Sequence, residues 1–480
     1  MAFQLSELTY KVPIELFIEN RQRLVDAART SLTTENSVIL LQGILLLLDV
    51  WVHESAFWGV IDVATGKSTL FAPRLDPIYA IWDGKINDEQ FFKSKYHVDT
   101  VIFNDKSTTI SDFLKAQATK NVYLLRAENS DSESILEAPK FEGSESFLVD
   151  TLSLYPIIAE LRVIKTEHEI GVMRYASKIA SEAHRAAMKN IRPGNFEYQM
   201  ESLFRHTSYF HGGCRHLAYT CVTASGCNSS ILHYGHSNAP NNKQIKDGDM
   251  CLFDMGPEYN CYASDITTSF PCNGKFTDKQ KVVYNAVLAA NREVFKQAKP
   301  GVRWTDMHIL SEKVILEHLK VAGLIVGDIN EAVTARLGAV FMPHGLGHFI
   351  GLDVHDCGGY LGDATPRSTE PGLKSLRTTR TLMENMVITI EPGCYFIDFL
   401  LDQALANSVK SKFLVKSEID KYRGSGGVRI EDDVVIRAAG NENLSDLPRT
   451  VEEIEQFMAK TNDGWNDTKI EQRVKNFLRK

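Results

Sequence analysis

The chain has 480 residues, 44% of them hydrophobic and 24% charged, with a formal net charge of −8. That length suffices for two domains with well-buried cores, and the acidic balance argues against nucleic acid or an acidic membrane as the main partner. All eight cysteines fall between Cys214 and Cys394 without a C-x-x-C pair, which excludes zinc-finger and thioredoxin readings and fits reduced thiols in the cytoplasm.

The amino terminus, MAFQLSELTYKVPIELF, lacks a basic segment followed by an apolar one, so no secretory signal is expected. The most apolar run, Val38 to Val52, contains Gln42 and Asp49 and is too short to span a bilayer. Up to residue 155, the strand-like pieces VILLQG, WGVIDV, STLFAP, TVIF and NVYLL alternate with polar stretches, the pattern of a small α/β domain. Leu154 to Lys165 reads as the connection. Thr166 and Glu169 then form a capping box opening a long helix, which Pro193-Gly194 closes. A second helix is expected from about Phe196 to Phe210. The same grammar returns with a helix from about Asp278, a break at Pro300-Gly301 and a helix through Leu319. Two helix–Pro-Gly–helix blocks, each followed by strands, predict a second domain over 156–460 with internal pseudo-two-fold symmetry. The tail, 461–480, is charged with an amphipathic pattern and carries no expected chemistry.

Four carboxylates stand at the ends of apolar runs or beside glycine-rich turns. Asp254 ends Met250-Cys251-Leu252-Phe253, Asp265 follows Tyr262-Ala263-Ser264, Glu391 ends Val387-Ile388-Thr389-Ile390, and Glu431 follows Gly427-Val428-Arg429-Ile430. Burying such groups is costly unless they are paired or bind a cation. With His348 they make an oxygen-rich set suited to two divalent ions, which would cancel the four charges and activate a water. A hairpin centred between Tyr259 and Asn260 would set Asp254 directly opposite Asp265, with Cβ atoms roughly 4.5–5.5 Å apart. His344 and His348 are four apart, but Gly345 and Gly347 lie between them without a glutamate. That excludes an H-E-x-x-H helix and favours a glycine-rich loop or strand. No G-x-S-x-G elbow surrounds Ser225, Ser229 or Ser230, so a serine hydrolase lacks its nucleophile.

The stretches LHYGH (232–236), GDMCLFDMG (248–256), ASDIT (263–267), FMPHGLGHFIGLDVHD (341–356), EPGLKSLRT (370–378), TIEPGCYFID (389–398) and GGVRIEDDVV (426–435) resemble, in register, the pita-bread metallopeptidases. Within that family they are most similar to the eukaryotic prolidases, which cleave dipeptides ending in proline or hydroxyproline. The resemblance implies an α/β amino domain of the aminopeptidase P type over 1–155, followed by an α+β pita-bread catalytic domain. It implies two divalent ions, Mn²⁺ foremost with Co²⁺ or Zn²⁺ as alternatives. One would be held by Asp265, His348, Glu391 and Glu431, the other by Asp254, Asp265 and Glu431, and together they would supply the attacking hydroxide. Glu391 would carry the proton, and His344 would polarise the scissile carbonyl or move a proton. Tyr219, His233 and His355 would shape the proline pocket. Arg377 would grip the substrate's terminal carboxylate, and Arg429 would do the same or neutralise the surplus acid charge. A cytoplasmic homodimer acting on small imidodipeptides, with no nucleic acid or membrane partner, completes the expectation. An Xaa-Pro aminopeptidase of the aminopeptidase P type, a creatinase-like hydrolase, or a catalytically impaired binding protein are the rival readings. In one place the chain departs from the family. Only Ile44 to Trp58 stand between Leu41-Gln42-Gly43 and Gly59-Val60-Ile61, where relatives carry a longer aromatic segment. The amino domain is therefore expected to lack a strand or to leave one edge poorly covered.

Overall fold

The computed structural model describes residues 3–43, 57–129, 132–236, 238–459 and 467–479. They fall into two compact units, the first comprising Met1–Gln4 with Lys11–Arg162 and the second Leu5–Tyr10 with Val163–Lys480. Among the described residues no helix is long and apolar enough to cross a membrane.

The first unit is built on a six-stranded mixed sheet. Its strands are β1 (Ser37–Gln42), β2 (Trp58–Asp62), β3 (Ser68–Ala72), β4 (Thr100–Phe103), β5 (Asn121–Leu124) and β6 (Leu148–Asp150), in the order β4-β3-β2-β1-β5-β6. The five strand-like pieces of the sequence become β1 to β5. Both faces are covered, as continuous apolar strands require. Ile39 and Leu41 pack with Leu24 and Val25 of helix α1 (Ile14–Ser31) and with Phe92 of α2 (Glu89–Tyr96). The alternate residues Val38 and Leu40 pack with Ile110 and Leu114 of α3 (Thr109–Ala116). Of the segment Ile44 to Trp58, where a shortening was expected, residues 44–56 lie outside the described residues and Trp58 opens β2. Its flanks are not sheet edges, because β1 pairs with β2 and β5, and β2 with β1 and β3. The connection from Leu154 is itself helical, α4 (Leu154–Val163), with Pro156 in the first turn where a missing N–H costs nothing.

In the second unit the capping box forms as its spacing dictates. Thr166 N–H donates to Glu169 Oε2 at 2.7 Å, and Glu169 N–H donates to Thr166 Oγ1 at 3.2 Å, opening α5 (Glu167–Asn190). Helix α6 (Glu197–Gly212) ends on Gly213 at φ 66. The second block repeats this plan in α7 (Asp278–Gln297), opened by Thr277 and Gln280, and α8 (Trp304–Val321). After the first helix pair come β7 (Val222–Ser225), β8 (Met250–Asp254), β9 (Pro257–Tyr259), β10 (Tyr262–Ala263) and β11 (Thr267–Pro271). After the second come β12 (Val387–Ile390), β13 (Gly393–Tyr395), β14 (Gly427–Arg429) and β15 (Asp432–Val435). The carboxy-terminal helix Asp467–Leu478 buries Ile470 and Val474 and ties to α5 through Arg473 and Glu182 at 2.6 Å.

The hairpin is offset from its expected register. Asn260 (φ 45) and Cys261 (φ 67) form the tip, Tyr259 pairs with Tyr262, and Asp254 lies opposite Thr267 rather than Asp265. Two consecutive left-handed residues make the primed turn whose twist suits a hairpin, and that turn moves the centre one residue along.

Candidate active site

Eleven residues singled out from the sequence line one cavity of about 490 Å³: Tyr219, His233, Asp254, Asp265, His344, His348, His355, Arg377, Glu391, Arg429 and Glu431. Separate strands deliver the acids. Asp254 closes β8, Glu391 follows β12, Glu431 sits between β14 and β15, and Asp265 lies just before β11. Facing atoms of Asp265, His348 and Glu431 lie within 4.8 Å of one another. His348 Nε2 is 3.3 Å from Asp265 Oδ2 and 3.5 Å from Glu391 Oε1. The histidine segment is not helical, and it runs so close to β12 that a Cβ added at Gly347 would lie 1.9 Å from the Thr389 carbonyl oxygen.

The electrostatics are those of a site short of positive charge. Burial and the neighbouring Asp265 push Asp254 upward, with Arg429 opposing. Burial and then Asp265, Glu391 and Asp254 hold Glu431 well above the usual carboxylate range. Burial lowers His348, but its hydrogen bond to Asp265 and the charge of Glu391 outweigh that and bring the group to about 9. Tyr219 Oη lies 2.6 Å from both Asp254 Oδ1 and Asp265 Oδ1, although a phenol has only one proton to donate. A divalent cation fits this donor set. His348 Nδ1 donates to the Phe349 carbonyl at 3.0 Å, which turns Nε2 towards the acids; a cation bound among them would displace the Nε2 proton and take its lone pair, with Nδ1–H held as in a metal-ligating imidazole.

Arg429 is buried and committed. Its Nη2 donates to Asp254 Oδ2 at 2.6 Å, Nη1 to Tyr395 Oη at 2.8 Å and Nε to Thr267 Oγ1 at 3.1 Å. These contacts fit the charge-neutralising alternative better than a grip on substrate. His344 Nδ1 donates to the Gly345 carbonyl at 2.7 Å, and its Nε2 accepts from Tyr395 Oη at 3.0 Å. Burial and the charge of Arg429 bring it down to about 3, so it is neutral. His355 stacks edge-on against His348, with ring centres 4.5 Å apart; burial and then the charge of His348 bring it to about 4. The turn carrying His355 is fixed by a buried ion pair, Lys165 Nζ to Asp356 Oδ2 at 2.8 Å, with side chains 2% and 1% exposed. Burial lowers Arg377, and Glu391 opposes that shift.

Four supporting residues were not singled out from the sequence. Tyr395 links Arg429 to His344. Thr267 Oγ1 donates to Glu431 Oε2 at 2.6 Å, and Thr389 Oγ1 donates to Glu391 Oε1 at 3.2 Å. Asp433 accepts the Asp265 N–H at 3.2 Å; burial and Asp265 push it to about 7. Strand parity could have found Tyr395, since 391, 393 and 395 share a face. The two threonines carry no signal apart from their neighbours.

Residues 171–438 match the model of metallopeptidase family M24, and residues 52–123 match that of the aminopeptidase P N-terminal domain. The chain is 50% identical to the human Xaa-Pro dipeptidase over 95% of its own length and 96% of that protein. It is 34% identical to a "Probable Xaa-Pro aminopeptidase" of Verticillium alfalfae over 83% of each. Among solved structures, Zn-substituted aminopeptidase P of Escherichia coli superposes with a TM-score of 0.73 at 28% identity, covering 93% of this chain and 98% of that one. The fold is accordingly an aminopeptidase P-type amino domain followed by a pita-bread catalytic domain. By the extent of these matches and the acid–imidazole site they enclose, the chain belongs to metallopeptidase family M24.

Proposed function

We infer that this chain is an Xaa-Pro dipeptidase, hydrolysing imidodipeptides that end in proline or hydroxyproline. The observation that carries the reading is one cavity holding the four acids and His348 together with Arg377. Half identity to the human dipeptidase over nearly the whole chain supports it. Asp265, His348, Glu391 and Glu431 would hold one divalent ion, and Asp254, Asp265 and Glu431 a second, Mn²⁺ being the favoured metal and Co²⁺ or Zn²⁺ the alternatives. When bound, such ions supply Lewis-acid polarisation and acidify a water to near neutrality.

The chain's own residues do the rest. Glu391 takes the proton released by the nucleophile and passes it to the imide nitrogen, which as proline's nitrogen has no hydrogen of its own. His344, neutral and with Nε2 free of a proton, accepts from Tyr395 and is placed as a proton carrier rather than as a charged donor. Arg429 balances the charge of Asp254. Tyr219, His233 and His355 wall the ring pocket, and Arg377 meets the free carboxylate in a charge-assisted bond. All eight cysteines are free thiols, which supports a cytoplasmic location, and a homodimer is proposed by likeness to the family.

The aminopeptidase reading draws on the solved aminopeptidase P neighbours and on the fungal relative. Incubation of Mn²⁺-reconstituted protein with Gly-Pro and with a tripeptide X-Pro-Y decides between the two. Release of glycine from Gly-Pro with little turnover of the tripeptide is expected; preference for the tripeptide would overturn the dipeptidase reading.

A further inference from the structure

Three buried ionisable side chains meet away from the reacting atoms. His308 and Glu312 lie one turn apart on α8, both fully buried, with His308 Nε2 3.0 Å from Glu312 Oε1. Arg336 Nη2 donates to the same oxygen at 2.7 Å. The guanidinium also grips a loop, since Nε and Nη2 donate to the Pro371 carbonyl at 3.1 and 2.8 Å. The next residue, Gly372, is at φ +80, and a Cβ there would lie 2.9 Å from Glu312 Oε1, 3.0 Å from Arg336 Nη2 and 3.1 Å from His308 Nε2. From Gly372 the chain turns tightly, Ser375 N–H donating to the Gly372 carbonyl and Leu376 N–H to that of Leu373. This turn delivers Ser375 and Arg377 to the cavity wall. Glu312 also packs on Gly338, where a Cβ would lie 2.6 Å from its own.

None of the three lines the cavity, so direct contact with substrate does not explain them. Burying a glutamate between an arginine and a histidine is no aid to stability over an apolar residue of the same size. Glu312 Oε2 and His308 Nδ1 add to that cost, having no hydrogen-bond partner among the described residues. What such a cluster does supply is direction: it fixes one geometry where apolar packing tolerates several.

We propose that His308, Glu312 and Arg336 are positioning residues: by clamping Pro371-Gly372 they set where the Ser375–Arg377 wall stands, and so impose the preference for a peptide that ends at proline. The proposal rests on the dipeptidase reading. A looser clamp leaves the acids and His348 in place but lets the Arg377 guanidinium wander from the substrate carboxylate.

Two variants test it, Glu312→Gln and Arg336→Lys, the second keeping a cation beside Glu312 while losing the fork on the Pro371 carbonyl. Gly-Pro and Gly-Pro amide differ only in the free carboxylate. In Glu312→Gln, KM for Gly-Pro should rise about tenfold with kcat within about twofold, as expected when a charge-assisted contact is misplaced. The ratio of kcat/KM for Gly-Pro over the amide should fall by the same factor. Hydrogen exchange at the Lys374, Ser375 and Leu376 amides should quicken at least about tenfold, while the Thr389 and Glu391 amides remain protected. Arg336→Lys should show both effects in smaller degree, and it carries the test alone should Glu312→Gln not fold. Equal losses on both substrates, or unchanged exchange at 374–376, would overturn the proposal. If the wild type does not hydrolyse Gly-Pro, the dipeptidase reading falls, and exchange alone then decides whether the clamp exists.

Discussion

Removing the ammonium of Lys165 takes a cation away from a carboxylate in the interior. Lys165 Nζ and Asp356 Oδ2 are 2.8 Å apart, their side chains 2% and 1% exposed, and the other carboxylate oxygen, Asp356 Oδ1, accepts from the Cys357 N–H at 3.1 Å. In Lys165→Met the lost partner should cost about 3–5 kcal/mol. Proton uptake sets a ceiling on that figure. At pH 7 an ordinary Asp stands about three pH units above its midpoint, so protonating it costs about 4 kcal/mol. A loss of about 3–4 kcal/mol at neutral pH is therefore expected. The sign with pH follows from linkage: the folded variant binds a proton that its unfolded form does not, so its deficit shrinks as pH falls. At pH 5 only about one unit remains, and the deficit should be about 1.5 kcal/mol. Urea unfolding of both proteins at pH 7 and pH 5 measures this directly. Lys165→Met/Asp356→Asn should recover most of the loss, because the buried carboxylate charge is removed together with its cation. A deficit that is the same at both pH values would refute the reasoning and assign the loss to packing.

Asp265→Asn should lower occupancy at both proposed ion sites and abolish turnover, and chelation should silence the wild type until Mn²⁺ or Co²⁺ is restored; metal analysis beside activity checks both, and full activity in metal-free protein would contradict the metallopeptidase mechanism. Arg377→Ala should reduce kcat/KM for Gly-Pro by roughly ten- to a hundred-fold, from a charge-assisted bond of about 1.5–3 kcal/mol, while discriminating less against X-Pro-Y; equal falls on both peptides would remove Arg377 from carboxylate recognition. Tyr395→Phe deprives His344 Nε2 of its donor and Arg429 of an acceptor, so kcat should fall about tenfold with KM little changed, as steady-state kinetics will show. Arg174 and Arg437 hold Glu167 and Glu442 below their ordinary values, chiefly by hydrogen bonds. Their stabilisation is present above the unfolded carboxylate range and lost as pH falls through it, so Arg174→Leu should cost roughly 1 kcal/mol at pH 7 and little at pH 3; a deficit that persists in acid unfolding curves would count against it.

The acids were legible because apolar strands ending in carboxylates are expensive, and four such ends in one chain call for a common cation. The helices were legible from Thr166 with Glu169 and from the paired Pro-Gly breaks, which act locally. The register of the hairpin was not. It depends on Asn260 and Cys261 both adopting positive φ, and cysteine gives no warning of that conformation. Nor did the sequence say what Arg429 would do. Parity with Glu431 put it on the right face, but the support for its charge-neutralising role comes from Asp254, Tyr395 and Thr267, residues that only folding brings to it. The clamp at Glu312 was invisible for the same reason, since its partners lie on α8, after the following helix and in a distant loop.

Separate delivery of the donors has a consequence for biogenesis. Asp254 and Glu431 are far apart in the chain, and among the described residues the candidate cation cluster of Asp265 and His348 is completed by Glu431. A nascent chain that has emerged as far as the glycine-rich histidine loop therefore cannot yet present the complete set. Ion capture by this set would be confined to a chain complete through Glu431, where binding free energy would add to folding free energy. Messages truncated upstream of residue 431 would yield protein unable to draw on metal for its stability, and cellular quality control could recognise it by that deficit alone.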